Sequence, residues 1–351
     1  MRLEIVMAKK QNSFDYTAEI KLLKSESPKN LYLLSGEEDY LRDRYLETLK
    51  TVCIPEGENG FSYKRFDGPT VDAADMGKAI DIMPFLSERT FVELRNVDIN
   101  KTNDTDQLIG VLSSIPEYCT VCFVQDASYE TDGRMRFVRF LKDKGKALEF
   151  NSQDQTKLFN WIKRRFEALG KEIDSVSIQR LVFISGDLMN ALIPEIEKVA
   201  AYAKSRRILP ADIEAVASHL PEADVFEMVN LISEKKYDTA LHLLAELLRN
   251  KENAPASILG TLSFQLRRLY GIKLALAEGK KQKEIKELLN IRYDFIAEKQ
   301  VAAAGKFSTT QLEKDLRNCV QSEYAMKTTA GDDLELLKTL FVKMIAEDKN
   351  E

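Results

Sequence analysis

The strand signal in this chain stops near residue 150, and that break limits what it can fold into. Before the break lie five short runs of strand type, Leu31–Leu34, Tyr63–Phe66, Thr90–Leu94, Thr120–Val124 and Ala147–Phe150. Helical patterns fall between them at Tyr40–Lys50, Val71–Ile82, Asn103–Ile115 and Arg134–Lys144. Parallel strands need a crossover long enough to hold a helix, so this alternation predicts a mostly parallel α/β sheet. After the break every periodic segment is helical. Leu158–Leu169, Ser177–Ile184, Leu188–Lys204 and Pro210–Val216 predict a small bundle, with Asp187 capping the third helix. Seven further helical segments, from Val225–Ser233 to Asp332–Ala346, predict a larger one. The fold class is therefore α/β plus all-α. An α/β base over 1–150 is followed by a small helical lid over 151–218 and a larger helical domain over 219–351.

Residues 31–46, LYLLSGEEDYLRDRYL, have the strand–turn–helix order that closes over phosphate in P-loop proteins. The turn, however, carries Glu37, Glu38 and Asp39 after Gly36, with no lysine and no second glycine. Carboxylates suit the positive end of a helix dipole and repel a triphosphate there. Gly77 and Lys78 do not repair the motif: the spacing from Gly68 is wrong, and Ala79 stands where a Mg²⁺ ligand would need a hydroxyl. The apolar run TVCFV ends in Gln125 and Asp126 where a Walker B acid would need Asp-Glu. These losses predict a chain without a nucleotide cofactor.

The charge balance narrows the remaining classes. Charged residues make up 30% of the 351, with net charge −5, which argues against a generally basic nucleic-acid binder. No apolar run approaches a membrane span, and the charged start MRLEIVMAKK does not read as a signal peptide, with Met7 a second candidate start. These features predict a cytoplasmic protein. Cys119 and Cys122 lie three apart in a strand-type run, so alternation points them to opposite faces and away from redox or zinc chemistry. Two histidines without Cys/His spacing predict no metal site.

Met83, Pro84, Phe85 and Leu86 precede the polar Ser87, Glu88 and Arg89. Met76, Ile80 and Met83 share helical spacing, so a helix is expected to run up to Pro84. Phe85 and Leu86 are adjacent and cannot share one buried strand face, which leaves a projecting loop tip or packing onto their own domain. Two other segments read as basic surfaces. The helix GRMRFVRFLKDKGK (133–146) is expected to be a solvated face over the sheet. KKQKEIKELLNIRYDFIAEKQ (280–300) permits a helix–turn–helix reading, but its carboxylates favour structural packing.

Taken in order, LYLLSGEEDYLRDRYL (31–46), RFDG (65–68), MPFLSERTFVELRNV (83–97), SGDLMNALIPEIEKVAAYA (185–203) and DVFEMVNLISEKKYDTALHLLAELLRN (224–250) resemble the delta subunit family of the bacterial DNA polymerase III clamp loader. QLRRLYGIKLALAEGKKQKEIKELLNI (265–291) and FSTTQLEKDLRNCVQSEYAMKT (307–328) extend the resemblance to roughly 30–345. The resemblance implies an AAA+-like base with a degenerate nucleotide site at Gly36, Glu37, Glu38 and Asp39. It also implies a C-terminal collar that joins a five-membered loader. In active AAA+ relatives an arginine soon after the lid's Gly-Asp reads the γ-phosphate; here Leu188, Met189 and Asn190 follow Gly186 and Asp187. The implied function is non-catalytic: to bind and open the sliding clamp for loading on primed DNA. Phe85 and Leu86 would enter a clamp pocket, with Met83 at their flank. The implied partners are the sliding clamp (beta), the loader ATPase subunits, the delta-prime subunit and, within the assembly, primed DNA, with nucleoid association at replication forks and no membrane. Two other readings stand beside this one, an active AAA+ ATPase of replication or repair and a DNA-binding regulator acting through 280–300.

Overall fold

The structure is a computed structural model that describes residues 15–55, 62–85, 87–101, 104–129, 131–250, 253–329 and 331–348. It divides into two compact units, one of residues 1–153 with 188–190, the other of 154–187 with 191–351.

The first unit contains α1 (Tyr16–Ser25), β1 (Leu31–Ser35), α2 (Asp39–Cys53), β2 (Tyr63–Asp67), α3 (Ala73–Ile80), β3 (Thr90–Arg95), α4 (Thr105–Leu112), β4 (Cys119–Val124), α5 (Arg136–Lys144) and β5 (Lys146–Glu149). Its five strands are all parallel, in the order β2-β3-β4-β1-β5. This is the parallel α/β sheet that the alternation predicts, in the AAA+-like form that the resemblance implies. Every residue of β1 and of β4 is buried, as strands covered by helices on both faces require. Leu31 and Leu33 of β1 share a core with Val121 and Phe123 of β4, Met76 and Ile80 of α3, and Phe137 and Leu141 of α5. Cys119 joins that core, while the neighbouring Thr120 pairs with Cys53 of α2 on the opposite side of β4. All four cysteines are buried and unbridged, and burial pushes the Cys119 thiol up to about 11.

Side-chain caps set several helix boundaries that periodicity leaves open. Asp72 Oδ1 accepts from the amides of Ala74 and Asp75, both at 2.9 Å, so α3 begins at Ala73 and not at Val71. Asp132 takes the amide and guanidinium of Arg134, and α5 starts two residues later than expected. The helix α1 is an addition to the expected elements. It is capped by Asp15, but among its residues only Leu23 is buried, too weak a stripe to read.

The second unit contains α6 (Gln155–Ala168), β6 (Glu172–Ile173), α7 (Ser175–Ser185), most of α8 (Met189–Tyr202), β7 (Arg207–Ile208), α9 (Pro210–Val216), α10 (Pro221–Ser233), α11 (Tyr237–Arg249), α12 (Pro255–Ala277), α13 (Gln282–Leu288), α14 (Asp294–Lys306), α15 (Thr309–Thr328) and α16 (Asp333–Asp348). The strand signal does not vanish entirely: β6 and β7 form a two-residue parallel pair. Lys171 helps to hold the end of α8 nearby, donating to the Ala203 and Ser205 carbonyls at 2.5 and 2.9 Å. Ile258, Leu262, Leu266 and Leu269 of α12 lie at the centre of the C-terminal core. No described helix is long and apolar enough to cross a membrane.

Candidate functional site

The parallel sheet has two distinct ends, and the two sequence features of interest lie at opposite ones. The turn 35–39 follows β1 and therefore sits at the carboxyl ends of the strands. The loop 81–89 precedes β3 and sits at the amino ends.

At the carboxyl end, the turn is closed by the protein's own backbone. Phe150 N–H donates to the Ser35 carbonyl at 2.7 Å, and Glu38 N–H donates to the Phe150 carbonyl at 2.9 Å. Gly36 has φ +117°, and a Cβ there would overlap the Phe150 main chain. The glycine is thus needed for a close approach of protein backbone, the role a P-loop glycine plays for phosphate. The three carboxylates are also engaged. Glu37 Oε1 accepts from the Ser152 amide at 3.2 Å and from its hydroxyl. Glu38 is fully buried, and both its oxygens stand 3.3 Å from the Met189 amide at the start of α8. Asp39 pairs with Arg42 at 2.6 Å. Burial, with Asp126 and Asp43 close by, outweighs Arg42 and leaves the Asp39 carboxyl above its ordinary value.

Arg42 is the buried cation of this region. Besides Asp39 it meets Asp126 at 2.8 Å and Asp43 at 3.3 Å, and it donates to the Gln125 carbonyl at 3.0 Å. The Gln125–Asp126 step considered for a Walker B acid does reach the turn, since Gln125 N–H donates to the Leu34 carbonyl at 2.8 Å. Its carboxylate, however, is held by Arg42 and by the Asn96 amide at 2.8 Å. The sequence predicts Asp187 as the cap of α8. Its Oδ2 accepts from Arg292 at 2.6 Å and from the Tyr293 hydroxyl at 2.8 Å, two donors more than a hundred residues away in sequence.

At the amino end, α3 finishes at Ile80, short of the expected stop at Pro84. Met76 and Ile80 are buried as the stripe predicts, but Met83 lies beyond the helix and is 74% exposed. Phe85 is 78% exposed, and Ile82, which sequence reasoning passes over, is 38% exposed. Leu86 lies outside the described residues. The structure therefore brings Ile82, Met83 and Phe85 together on one short loop. Its two ends are tied down. The Tyr118 hydroxyl donates to the Asp81 carbonyl at 3.5 Å, Thr90 N–H donates to the Tyr118 carbonyl at 2.8 Å, and Arg89 Nη2 donates to Asn30 Oδ1 at 3.1 Å. Such a loop offers exposed apolar area, which suits protein docking.

The remaining candidates resolve into structure. In 133–146, Phe137, Val138 and Leu141 are buried and the cations lie outside. In 280–300, Ile285, Ile291, Tyr293, Phe295 and Ala297 are buried, so the apolar half of the helix–turn–helix reading is spent on packing. Trp161 sits on α6 with the Arg165 guanidinium 5.2 Å from its ring. Among the described residues, no group of three or more His, Cys, Asp or Glu side chains could hold a metal ion.

Two family models match the chain. That of the DNA polymerase III delta subunit matches 32–151, and that of the C-terminal domain of the same subunit matches 222–344, so together they cover more than half of the chain. The chain is 25% identical over 348 residues to a DNA polymerase III subunit delta of Bacillus subtilis, covering 94% of this chain and 97% of that protein. It is 24% identical over 303 residues to a probable DNA polymerase III subunit delta of Aquifex aeolicus, covering 83% of each. A solved structure, the Bacillus subtilis DNA clamp loader delta protein, shares the fold with a TM-score of 0.54 at 23% identity, covering 95% of this chain and 100% of that one. With the base and the C-terminal domain each matched by a model of one family, in the order the fold requires, the chain belongs to the DNA polymerase III delta subunit family.

Proposed function

We propose that the protein is a clamp-loader subunit that docks onto a sliding clamp through the loop tip and does not hydrolyse ATP. The observation that carries this reading is the exposed apolar run Ile82, Met83 and Phe85 at the amino end of the sheet, in a chain of the delta subunit family. Leu86 is the fourth member of the docking tip by its place in the sequence. Burying Met83 and Phe85 in a clamp pocket would contribute about 1.5–3 kcal/mol each. Moving a closed ring from 1:99 to 99:1 open requires about 5.5 kcal/mol of preference for the open form. The two side chains reach that only at the top of their range and only if all of their binding is specific to the open ring. The tip therefore holds open a ring already close to opening, as a ligand that prefers one state of an existing equilibrium.

The filled carboxyl end supports the second half of the proposal. Where a P-loop presents free amides and a lysine, this turn presents three engaged carboxylates and the Phe150 main chain. ATP-hydrolysing sister subunits and a delta-prime subunit would then gate the tip within the loader, which places the clamp on primed DNA. The helical collar over 219–351 is the segment proposed to join the ring, with the base over 1–150 and the lid over 151–218. Two binding measurements on the isolated chain test this. It should bind purified sliding clamp and show no ATP affinity in the micromolar range. Micromolar ATP binding would return the active-ATPase reading, and absence of clamp binding by the folded chain would remove the docking role.

A further inference from the structure

Resting on the docking reading above, we infer that Asn30 and Arg89 position the tip, acting as a frame that fixes the base of the loop without touching the clamp. Both groups lie at the amino ends of the strands, Asn30 just before β1 and Arg89 just before β3. Asn30 uses both ends of its amide: Oδ1 accepts from Arg89 Nη2 at 3.1 Å, and Nδ2 donates to the Pro116 carbonyl at 2.8 Å. With both roles assigned, the amide has one orientation, and Arg89 is offered an oxygen in a fixed place. The Ser87 hydroxyl donates to the Arg89 carbonyl at 2.6 Å, which tightens the turn on the descending side of the tip. On the ascending side the Tyr118 hydroxyl reaches the Asp81 carbonyl at 3.5 Å, and the segment 116–118 thereby links to both flanks of the loop.

The chemistry of Arg89 is unusual for a merely solvated arginine. Its Nε is buried without a hydrogen-bond acceptor among the described residues, and its side chain is only partly exposed. A cation so placed costs desolvation, and the visible return is the one bond to Asn30. That return has a use if the exposed side chains at 82, 83 and 85 must be presented in one arrangement. Holding a docking loop in its bound shape reduces the ordering entropy lost on binding.

The test uses the full chain and purified clamp, with Asn30→Ala, Arg89→Ala, the double variant, Asn30→Asp and Phe85→Ala. Each alanine variant should weaken clamp binding about three- to tenfold, the equivalent of one net hydrogen bond. The double variant should be no weaker than the worse single one, since both remove the same link. Asn30→Asp keeps an oxygen for Arg89 but loses the donor to the Pro116 carbonyl, so its affinity should fall between those of the native chain and Asn30→Ala. Amide hydrogen exchange over 82–89 in the free chain should accelerate in both alanine variants by more than it does in the strands β1 and β4. Arg89→Gln, which keeps part of the buried stem, replaces Arg89→Ala if the latter fails to fold. Loss with Arg89→Ala but not Asn30→Ala would mean that Arg89 meets the clamp itself, and would overturn the inference. Additive losses or unchanged exchange would overturn it too. If Phe85→Ala leaves affinity intact, the docking reading falls. If Phe85→Ala is weak and both frame variants bind normally, only the frame falls.

Discussion

Replacing Phe85 by Ala separates docking from folding more sharply than any other single change. The side chain is 78% exposed on the loop 81–89, so little of its surface is buried in the folded chain. An exposed substitution of this kind changes stability by no more than about 0.5 kcal/mol. In a clamp pocket the same ring would lose most of its contact with water, worth about 2–3 kcal/mol. That is roughly a 30- to 150-fold rise in Kd for the clamp. The control is Phe91→Ala in β3, a fully buried ring only six positions on, whose loss should cost about 3–5 kcal/mol of stability. The assay is a titration of immobilised clamp with each variant, paired with a thermal melt. The reasoning predicts that Phe85→Ala loses affinity with an unchanged melt, while Phe91→Ala lowers the melt. A change in Kd below threefold for a Phe85→Ala protein that melts normally would refute it.

Removing the Glu38 carboxylate by Glu38→Ala leaves the Met189 amide without its acceptor and should cost about 1–3 kcal/mol, read as a lower urea midpoint. Calorimetry on that variant should still show no ATP binding, because the Phe150 main chain and the Arg42 cluster remain. Combined with Phe85→Ala the two effects should be additive, stability falling from one and affinity from the other, as expected of sites far apart. Glu93 is fully buried, with Arg95 at 2.6 Å, the Tyr63 hydroxyl at 2.9 Å and Lys50 at 3.5 Å, and Glu93→Ala should cost about 3–5 kcal/mol in urea unfolding. Burial pushes its carboxyl up, but Arg95, Tyr63 and Lys50 prevail and hold it below its ordinary 4.5. Its contribution is therefore complete above pH 4.5 and fades as pH falls through the lower folded value, a dependence that Glu93→Gln should flatten. His219 is shifted the other way from its ordinary 6.5, chiefly by its 2.8 Å bond to Asp224, against burial and with help from Glu214. The melting difference between the native chain and His219→Gln should be fullest below pH 6.5 and shrink as pH rises through the raised value.

Much of the fold is legible because burial imposes a local pattern. The strands β1 and β4 read as unbroken apolar runs since both faces are covered, and α12 shows its stripe because one side meets the core. What escapes reading is set by partners remote in sequence. Glu38 meets Met189 from 151 positions away, and Arg42 reaches the Gln125 carbonyl across 83. Nothing local distinguishes such groups from solvated surface charges. The pair β6 and β7 escapes for the same reason, since two residues per strand carry no period. Met83 is the instructive case. Its spacing from Met76 and Ile80 fits a helical stripe, yet α3 ends at Ile80 and Met83 stands outside the core. Periodicity identifies a helix only as far as the chain remains helical. The lasting signal at the tip is the adjacency of Phe85 and Leu86, which no single strand face can satisfy.

The position of the tip also decides where such a chain should be probed. In open parallel sheets, ligands gather at the carboxyl ends of the strands, where the loops converge on helix N-termini. Here that end is consumed by the Phe150 main chain, by Glu38 on the Met189 amide and by the Arg42 ion pairs. The exposed apolar residues lie a strand's length away, roughly 16 Å for five residues. At that distance the loop shares no side chain with the turn, so a substitution at one end should leave the shape of the other unchanged, as the additivity of Glu38→Ala and Phe85→Ala would register.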